Sequence, residues 1–371
     1  MQRREFISGS LAAICLASPV LAFAKSATRP ALQRFAQSPW LTNGIAVATD
    51  GACFLNFPRF QGHFKSPALA RITEKGPVAF PGNQWNRWQP GDDGVNTLVN
   101  VNACHIFGDN LLWVVDQGAA EGEKTSPGAA KLIAFDRTSG EVKKLIRFDK
   151  TSLPEGGAPN DLRIHGSFIY VTDSGLGGII IHDLASGKTV RRLSSSPLLR
   201  KPENAVQRGF KGRVLQDAGG KKPAVHSDVI EVTADGEWLY YATPTGPLYR
   251  IRTALLRDAA LSDAMLEKQL EKVADIPSIG GSAIDAAGNL YLSNVEKRSI
   301  DRLTPEGVRE TLIQDNRLIT PDALVIDKSG WMYIPAPQIE AIGTNNHGKD
   351  ETHAPWYVYR FRLAEESPKR R

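Results

Sequence analysis

Asn43, Asn102, Asn160 with Asp161, Asp228, Gly280 and Asp322 each open a short apolar segment, and at five of these six places the residue is Asn or Asp. Amides and carboxylates that converge from separate parts of a chain form a ring of oxygen ligands and hydrogen-bond acceptors. Such a ring suits a hard divalent cation such as Ca2+, or a polar or cationic small molecule. Asp116, Asp173 and Asn294 end the return strands of three of these segments and so come back to the same mouth. Carboxylates facing one another repel unless something cationic or hydrogen-bonding sits among them, whether ion, water, ligand or Arg163. Asn160 and Asp228 are the first ligands to expect if that something is a metal ion. Taken singly, an Asn or Asp at a strand start is equally well explained by hydrogen bonds to its own turn or to a neighbouring segment.

Other residues around this ring have two readings each. His226, two positions before Asp228, has the chemistry of an acid or base at the mouth, or is a solvated loop histidine. Trp85 and Trp88, with Asn86 and Arg87 between them, either roof an aromatic ligand by stacking or cover apolar edges. His105 and His165 lie in or beside strands and read as structural.

The elements that must position these groups repeat one pattern of strand, turn and strand. The copies are NGIAVATDGACFLNF, NACHIFGDNLLWVVD, NDLRIHGSFIYVTD, DVIEVTADGEWLYYAT, GGSAIDAAGNLYLSN and DALVIDKSGWMYIPA. Gly or Asn in the turns, between two apolar runs, is hairpin chemistry. With residues 1–24 set aside, roughly 58 residues fall to each copy, the amount a four-stranded propeller blade with its loops requires. The sequence therefore predicts an all-β fold, a six-bladed β-propeller forming a single domain over residues 25–371. Leu32–Phe35 and the alternating stretch 356–363 are expected to close the sixth blade together. One short helical insertion is expected over Ala254–Val273, capped by Ser262. Long loops without the repeat, at 80–100, 119–129, 197–224 and 341–355, are where binding groups collect on a rigid scaffold.

Residues 1–24 read as an export signal: Arg3 and Arg4 precede Phe6, an apolar run extends from Leu11 to Phe23, and small residues flank its end. The arginine pair points to the twin-arginine export machinery and so to a periplasmic or secreted protein. The apolar run is too short, and Pro19 breaks it, so no stable membrane span is expected. Forty-five Lys and Arg against forty Asp and Glu, a net charge of +5 with no block of like charge, leave no footprint for nucleic acid. Cys53 and Cys104 remain after the signal, either bridged or buried as free thiols. Nucleophile elbow, nucleotide loop and HExxH are all absent.

Several phrases together resemble the yellow and major royal jelly protein family, including its bacterial members described as dopachrome tautomerase-related. They are ProArgPhe at 58–60, ProAlaLeuAlaArgIle at 67–72, LeuTrpValValAsp at 112–116 and, above all, AsnAspLeuArgIle at 160–164 running through TyrValThrAspSerGly at 170–175 into GlyIleIleIleHisAspLeu at 178–184. The resemblance implies a secreted six-bladed propeller with a small-molecule site at one mouth of its channel. For insect relatives it implies dopachrome isomerisation or the binding of biogenic amines. A dopachrome-type isomerase needs a base to remove a ring proton and an acid to protonate the quinone oxygen; Asp161 or Asp228 is the expected base and His226 the expected acid. The fold is also similar to the gluconolactonase type, which holds a divalent metal. Asn160 and Asp161 match that pattern, but Ser227 with Asp228, and Gly280 with Gly281, depart from it. A non-catalytic periplasmic binding protein for small aromatic or cationic ligands, a metal-dependent lactonase and a protein-interaction platform are the alternatives.

Overall fold

Gly51, Asn110, Gly166, Gly236, Gly288 and Gly330, one in the turn of each repeated hairpin, all adopt positive φ. Each permits the tight reversal that keeps two apolar strands in register. The computed structural model describes residues 31–364, and within them the hairpins build six four-stranded antiparallel sheets. The first strands of the blades are Gly44–Val47, Val101–Ile106, Pro159–His165, Val229–Val232, Ile279–Ile284 and Val325–Ile326. Successive first strands contact one another around a closed ring, so they line a central channel. This is the six-bladed β-propeller that the repeat predicts. The export signal at 1–24 lies outside the described residues.

The ring closes as expected. Gln33–Ser38 pairs antiparallel with Trp356–Arg362, giving the sixth blade an outer strand from the start of the chain. Six apolar clusters sit between neighbouring blades rather than in one central core. Sheets buried on both faces account for the unbroken runs LWVVD, KLIAF and LYLSN.

One expectation needs correction, and the open alternative for the two cysteines is decided. The single helix over Ala254–Val273 is instead two one-turn helices, Thr253–Arg257 and Asp263–Glu267, followed by the outer strand Glu271–Ala274 of the fourth blade. The Asp258 carboxylate accepts from Ala260 N, and Arg192 donates to the carbonyls of Leu256, Leu261 and Asp258, so side chains take over the backbone groups that a continuous helix would pair. Ser262 does cap the second helix, accepting from Met265 N. Cys53 and Cys104 are free. They lie in different seams, Cys53 of the first blade facing the sixth and Cys104 of the second blade facing the first, and burial pushes the Cys53 thiol up to about 11.

Candidate functional site at the central channel

Bulges between Val101 and Ala103, Pro159 and Leu162, and Ile279 and Ser282 interrupt three inner strands just where they begin. A bulge re-aims consecutive side chains, and here it bears on Asn102, on Asn160 with Asp161, and on Gly280 with Gly281. Asn56 Nδ2 donates to Asn43 Oδ1 at 2.7 Å and to the carbonyls of Val101 and Asn102, both at 2.9 Å. Asn102 Nδ2 donates to Asn160 Oδ1 at 2.9 Å, and Asn160 Nδ2 donates to the Asp228 carboxyl. An arc of amides thus links the first four blades and ends on an acid.

The fifth blade contributes no side chain to this arc, for a steric reason. A Cβ on Gly280 would lie 2.3 Å from Pro321 O, and one on Gly281 2.8 Å from Ala323 Cα. The sixth blade packs its backbone against the glycine pair, bringing Asp322 within electrostatic reach of Asp228. Gly280→Ala is therefore expected to cost about 1–3 kcal/mol, read as a lower urea midpoint. An unchanged midpoint would mean that the sixth blade moves aside freely.

Asp228 and Asp322 are half-buried, enclosed by protein but reachable by solvent. Burial, then the charge of Asp161, pushes the Asp228 carboxyl up to about 7 against the opposing hydrogen bond from Asn160. Burial and then the charge of Asp228 hold Asp322 well above the carboxylate range. Asp161 goes the other way. Burial would raise it, but Arg163, then His105, then the Leu162 N–H outweigh burial and hold it far below its ordinary value.

Arg163 Nη1 donates to Asp161 Oδ2 at 2.9 Å, and His105 Nε2 lies 2.7 Å from Asp161 Oδ1. The rest of the guanidinium forms a bidentate pair with Glu231 at 2.9 and 2.8 Å, and Glu231 also accepts from Ser282 Oγ at 2.7 Å. One acid held far below its ordinary value, one poised near neutrality and one raised well above its ordinary value therefore meet around one axis. Environments that separate carboxyl pKa values in this way are how acid and base roles are divided.

The remaining sequence candidates lie elsewhere. Asp116 is fully buried, ion-paired with Lys131 Nζ at 2.8 Å and accepting from the N–H groups of Val99, Asn100 and Gly118. Asp173 repeats the arrangement in the next blade with Arg191 at 2.7 Å and with Ala158, Gly175 and Leu176. Asn294 donates to Asp301 at 2.8 Å and accepts from Lys297 N. All three return to the predicted mouth, where their hydrogen bonds and ion pairs anchor its loops.

Trp85 and Trp88 are buried among apolar side chains of the second blade and its loops and cover edges there. His226 accepts from Lys201 N through Nδ1, and its charged neighbours are Arg200, Asp173 and Lys201 rather than Asp228. Burial first, then Arg200, lowers it below the ordinary imidazole value. Asn56 and Glu231 were missed by the sequence reading, though each carries a signal. Asn56 occupies the same hairpin register as Asp116, Asp173 and Asn294, and Glu231 is a lone charge inside the apolar strand Val229–Val232.

A cavity of about 950 Å³ opens among the loops of the second and third blades, lined by Phe60, Asn100, Asn102, Gln117, Phe148 and Leu153; of the arc it includes Asn102, and Asp228 and Asp322 do not line it. The loop at 197–224 leaves the third blade and crosses this face: Phe210 N donates to Glu340, Lys211 N to Glu296 O and Gln216 N to Asn345 O. Among the described residues, oxygens that could meet a hard cation are the carboxyls of Asp228 and Asp322 and Asn102 Oδ1, while the amide oxygens of Asn43 and Asn160 also accept from Asn56 and Asn102. Among the described residues no group of three or more His, Cys, Asp or Glu gathers as a metal site. Ca2+ takes six to eight oxygens, so these side chains would hold such an ion only with water completing its shell. No helix among the described residues is long and apolar enough to cross a membrane.

The family model described as major royal jelly protein matches residues 99–366. No curated protein matches the chain. Among solved structures, the chain is similar to a gluconolactonase from Xanthomonas campestris at 14% identity and TM-score 0.53, covering 90% of each chain. A calcium-binding regucalcin from Agrobacterium tumefaciens is similar at 13% identity and TM-score 0.50, over 89% of this chain and 95% of that one. A PQQ-bound aldose sugar dehydrogenase from Streptomyces coelicolor is similar at 9% identity and TM-score 0.51, over 90% and 98%. Likeness at these identities is likeness of fold alone.

Proposed function

Because the chain belongs to the major royal jelly protein family, we propose that it is an exported propeller whose channel mouth takes a small cyclic or aromatic molecule and moves a proton on it, as in the tautomerisation of a dopachrome-like quinone. The observation that carries this reading is the pair of carboxyls at the axis, Asp228 poised at about 7 and Asp322 raised well above its ordinary value.

Asp228 takes the proton from the ring carbon, and Asp322, whose raised pKa favours the protonated form, gives one to the quinone oxygen. One proton is gained and one lost, so an isomerisation needs no oxidant or reductant. Asp161 is left out of the exchange because its charge is spent on Arg163 and His105; it keeps Asp228 basic. The amide arc supplies hydrogen bonds that orient the ligand. Export by the twin-arginine route to the periplasm is part of the same proposal and rests on residues 1–24.

Turnover of aminochromes by the purified full chain tests the reading. Asp228→Asn is expected to lower kcat by about 10²–10⁴-fold with ligand retention intact, and the wild-type rate is expected to rise through an apparent pKa of about 7. Unchanged turnover in the variant would overturn the assignment. Retention of an aromatic ligand with no turnover by the wild type would replace the isomerase with a binding protein. Activity lost to a chelator and restored by Ca2+ would favour the metal reading suggested by the calcium-binding neighbour.

A further inference from the structure

The cavity of about 950 Å³ among the loops of the second and third blades takes no part in the proton transfer at the axis, since Asp228 and Asp322 do not line it. Phe60, Phe148, Leu153 and Pro154 give it apolar surface. Its charged residues belong to the loops. Lys124 and Glu155 pair between the two loops at 3.7 Å while 93% and 90% exposed, Asp149 caps its own turn by accepting from Thr151 N and Ser152 N, and Glu121 accepts from Gln61 N. Glu123 and Lys150 are exposed. Charges in contact with water contribute little to holding a ligand.

The inner end is uncharged. Asn102 and Gln117 stand at one end of the second blade's first hairpin, where Val101 pairs with Asp116 and Gln117 N donates to Asn100 O, and both line the cavity. The orientation of each side-chain amide follows from a backbone group whose role is fixed. Asn160 O can only accept, so the Asn102 atom 3.1 Å from it is Nδ2, which also donates to Asn160 Oδ1; Oδ1 of Asn102 is the atom left over. Arg59 N can only donate, so the Asn100 atom 2.8 Å from it is Oδ1, and Asn100 Nδ2 then donates to Gln117 Oε1 at 2.9 Å. Gln117 is left with Nε2. Among the described residues Asn102 Oδ1 and Gln117 Nε2 have no hydrogen-bond partner, and neither is sealed from solvent.

Apolar walls with one neutral acceptor and one neutral donor at the inner end recognise the complementary pair. A carboxylate or ammonium brought to that end loses its water without meeting an opposite charge. A hydrocarbon leaves both amide atoms unpaired. A carboxamide carries N–H and C=O on neighbouring atoms, which is the pair these two side chains lack. We infer that this cavity is a binding site, separate from the channel axis, for a small uncharged molecule with a carboxamide or lactam group on an apolar body, whose N–H donates to Asn102 Oδ1 and whose C=O accepts from Gln117 Nε2. The site does not depend on the proton transfer proposed for Asp228 and Asp322, and its test reads binding rather than turnover.

The test uses benzamide, N,N-dimethylbenzamide, toluene, benzoate and benzylamine as probes, titrated into the full chain at pH 8 by calorimetry and by NMR of the nitrogen-labelled side-chain amides. Benzamide is expected to bind and to shift the Gln117 amide signals, a contact read in the unsubstituted chain. N,N-dimethylbenzamide, which has lost its donor, is expected to bind about fivefold more weakly, and the other three about tenfold more weakly. Gln117→Glu keeps the acceptor that Asn100 uses but puts a carboxylate oxygen where the free donor was. It is expected to weaken benzamide about tenfold and to strengthen benzylamine. Benzamide binding no tighter than toluene, an affinity unchanged by Gln117→Glu, or no binding of benzamide would each overturn the inference. So would a preference of the wild type for benzylamine, which would place the ligand at the acidic loops instead.

Discussion

At pH 8 the Asp228→Asn protein is expected to be more stable than the wild type by about 4 kcal/mol, whereas near pH 4 the two are expected to unfold together. The sign follows from which state holds the proton. Folding raises Asp228 from 3.8 to about 7, so between those values the native state binds a proton that the unfolded chain releases. Stability therefore falls as pH rises through that window, the reverse of an ordinary ion-paired carboxylate. Asn is neutral at every pH and can still accept the hydrogen bond from Asn160, so the variant escapes the loss. Asp161 acts in a different range. Its folded value is depressed, so its contribution is present above the ordinary carboxylate range and is lost only as pH falls below it. Urea midpoints of the two proteins at pH 4.5 and pH 8 check the difference; parallel profiles would mean that Asp228 titrates as an exposed carboxylate.

Lys131→Ala is expected to destabilise the fold by about 3–5 kcal/mol. Both Lys131 and Asp116 are 0% exposed, and the ammonium also donates to Gly94 O and Ala129 O. Removing the lysine leaves a buried carboxylate with three backbone N–H donors and, as counter-charge, Arg59 beyond ion-pair distance. Denaturant midpoints of Lys131→Ala, Asp116→Asn and the double variant would measure the coupling, and the double variant is expected to recover part of the single loss because it leaves no buried carboxylate there. Lys124 and Glu155, 93% and 90% exposed, form the contrasting pair, and breaking it is expected to leave the midpoint where it was. Equal effects at the two pairs would remove the case for Asp116 as an anchor.

The propeller was legible because a hairpin repeat writes itself into local sequence: each turn needs a residue that tolerates positive φ, and each inner strand needs apolar residues on both faces. The polar arc was legible for the same reason, since strand starts share a register. Which of its members are chemically available was not. Asp116 and Asp228 look alike in sequence, and what separates them is Lys131 beside one and Asp161 near the other. His226 was tied to Asp228 by adjacency in the chain, whereas the backbone turns it toward Lys201. His105 read as structural because its partner Asp161 comes from the next blade, a contact no local pattern announces. The helix over Ala254–Val273 failed where Arg192, far away in sequence, claims the carbonyls.

Gln33–Ser38 against Trp356–Arg362 puts the seam of the ring between the first and last described elements of the chain. A ribosome delivers one lip of that seam long before the other. Five blades can assemble while the chain is still growing, but the circle stays open until Trp356–Arg362 has been made. Both mouths of the channel, and every group arranged around the axis, come into being at that final docking step.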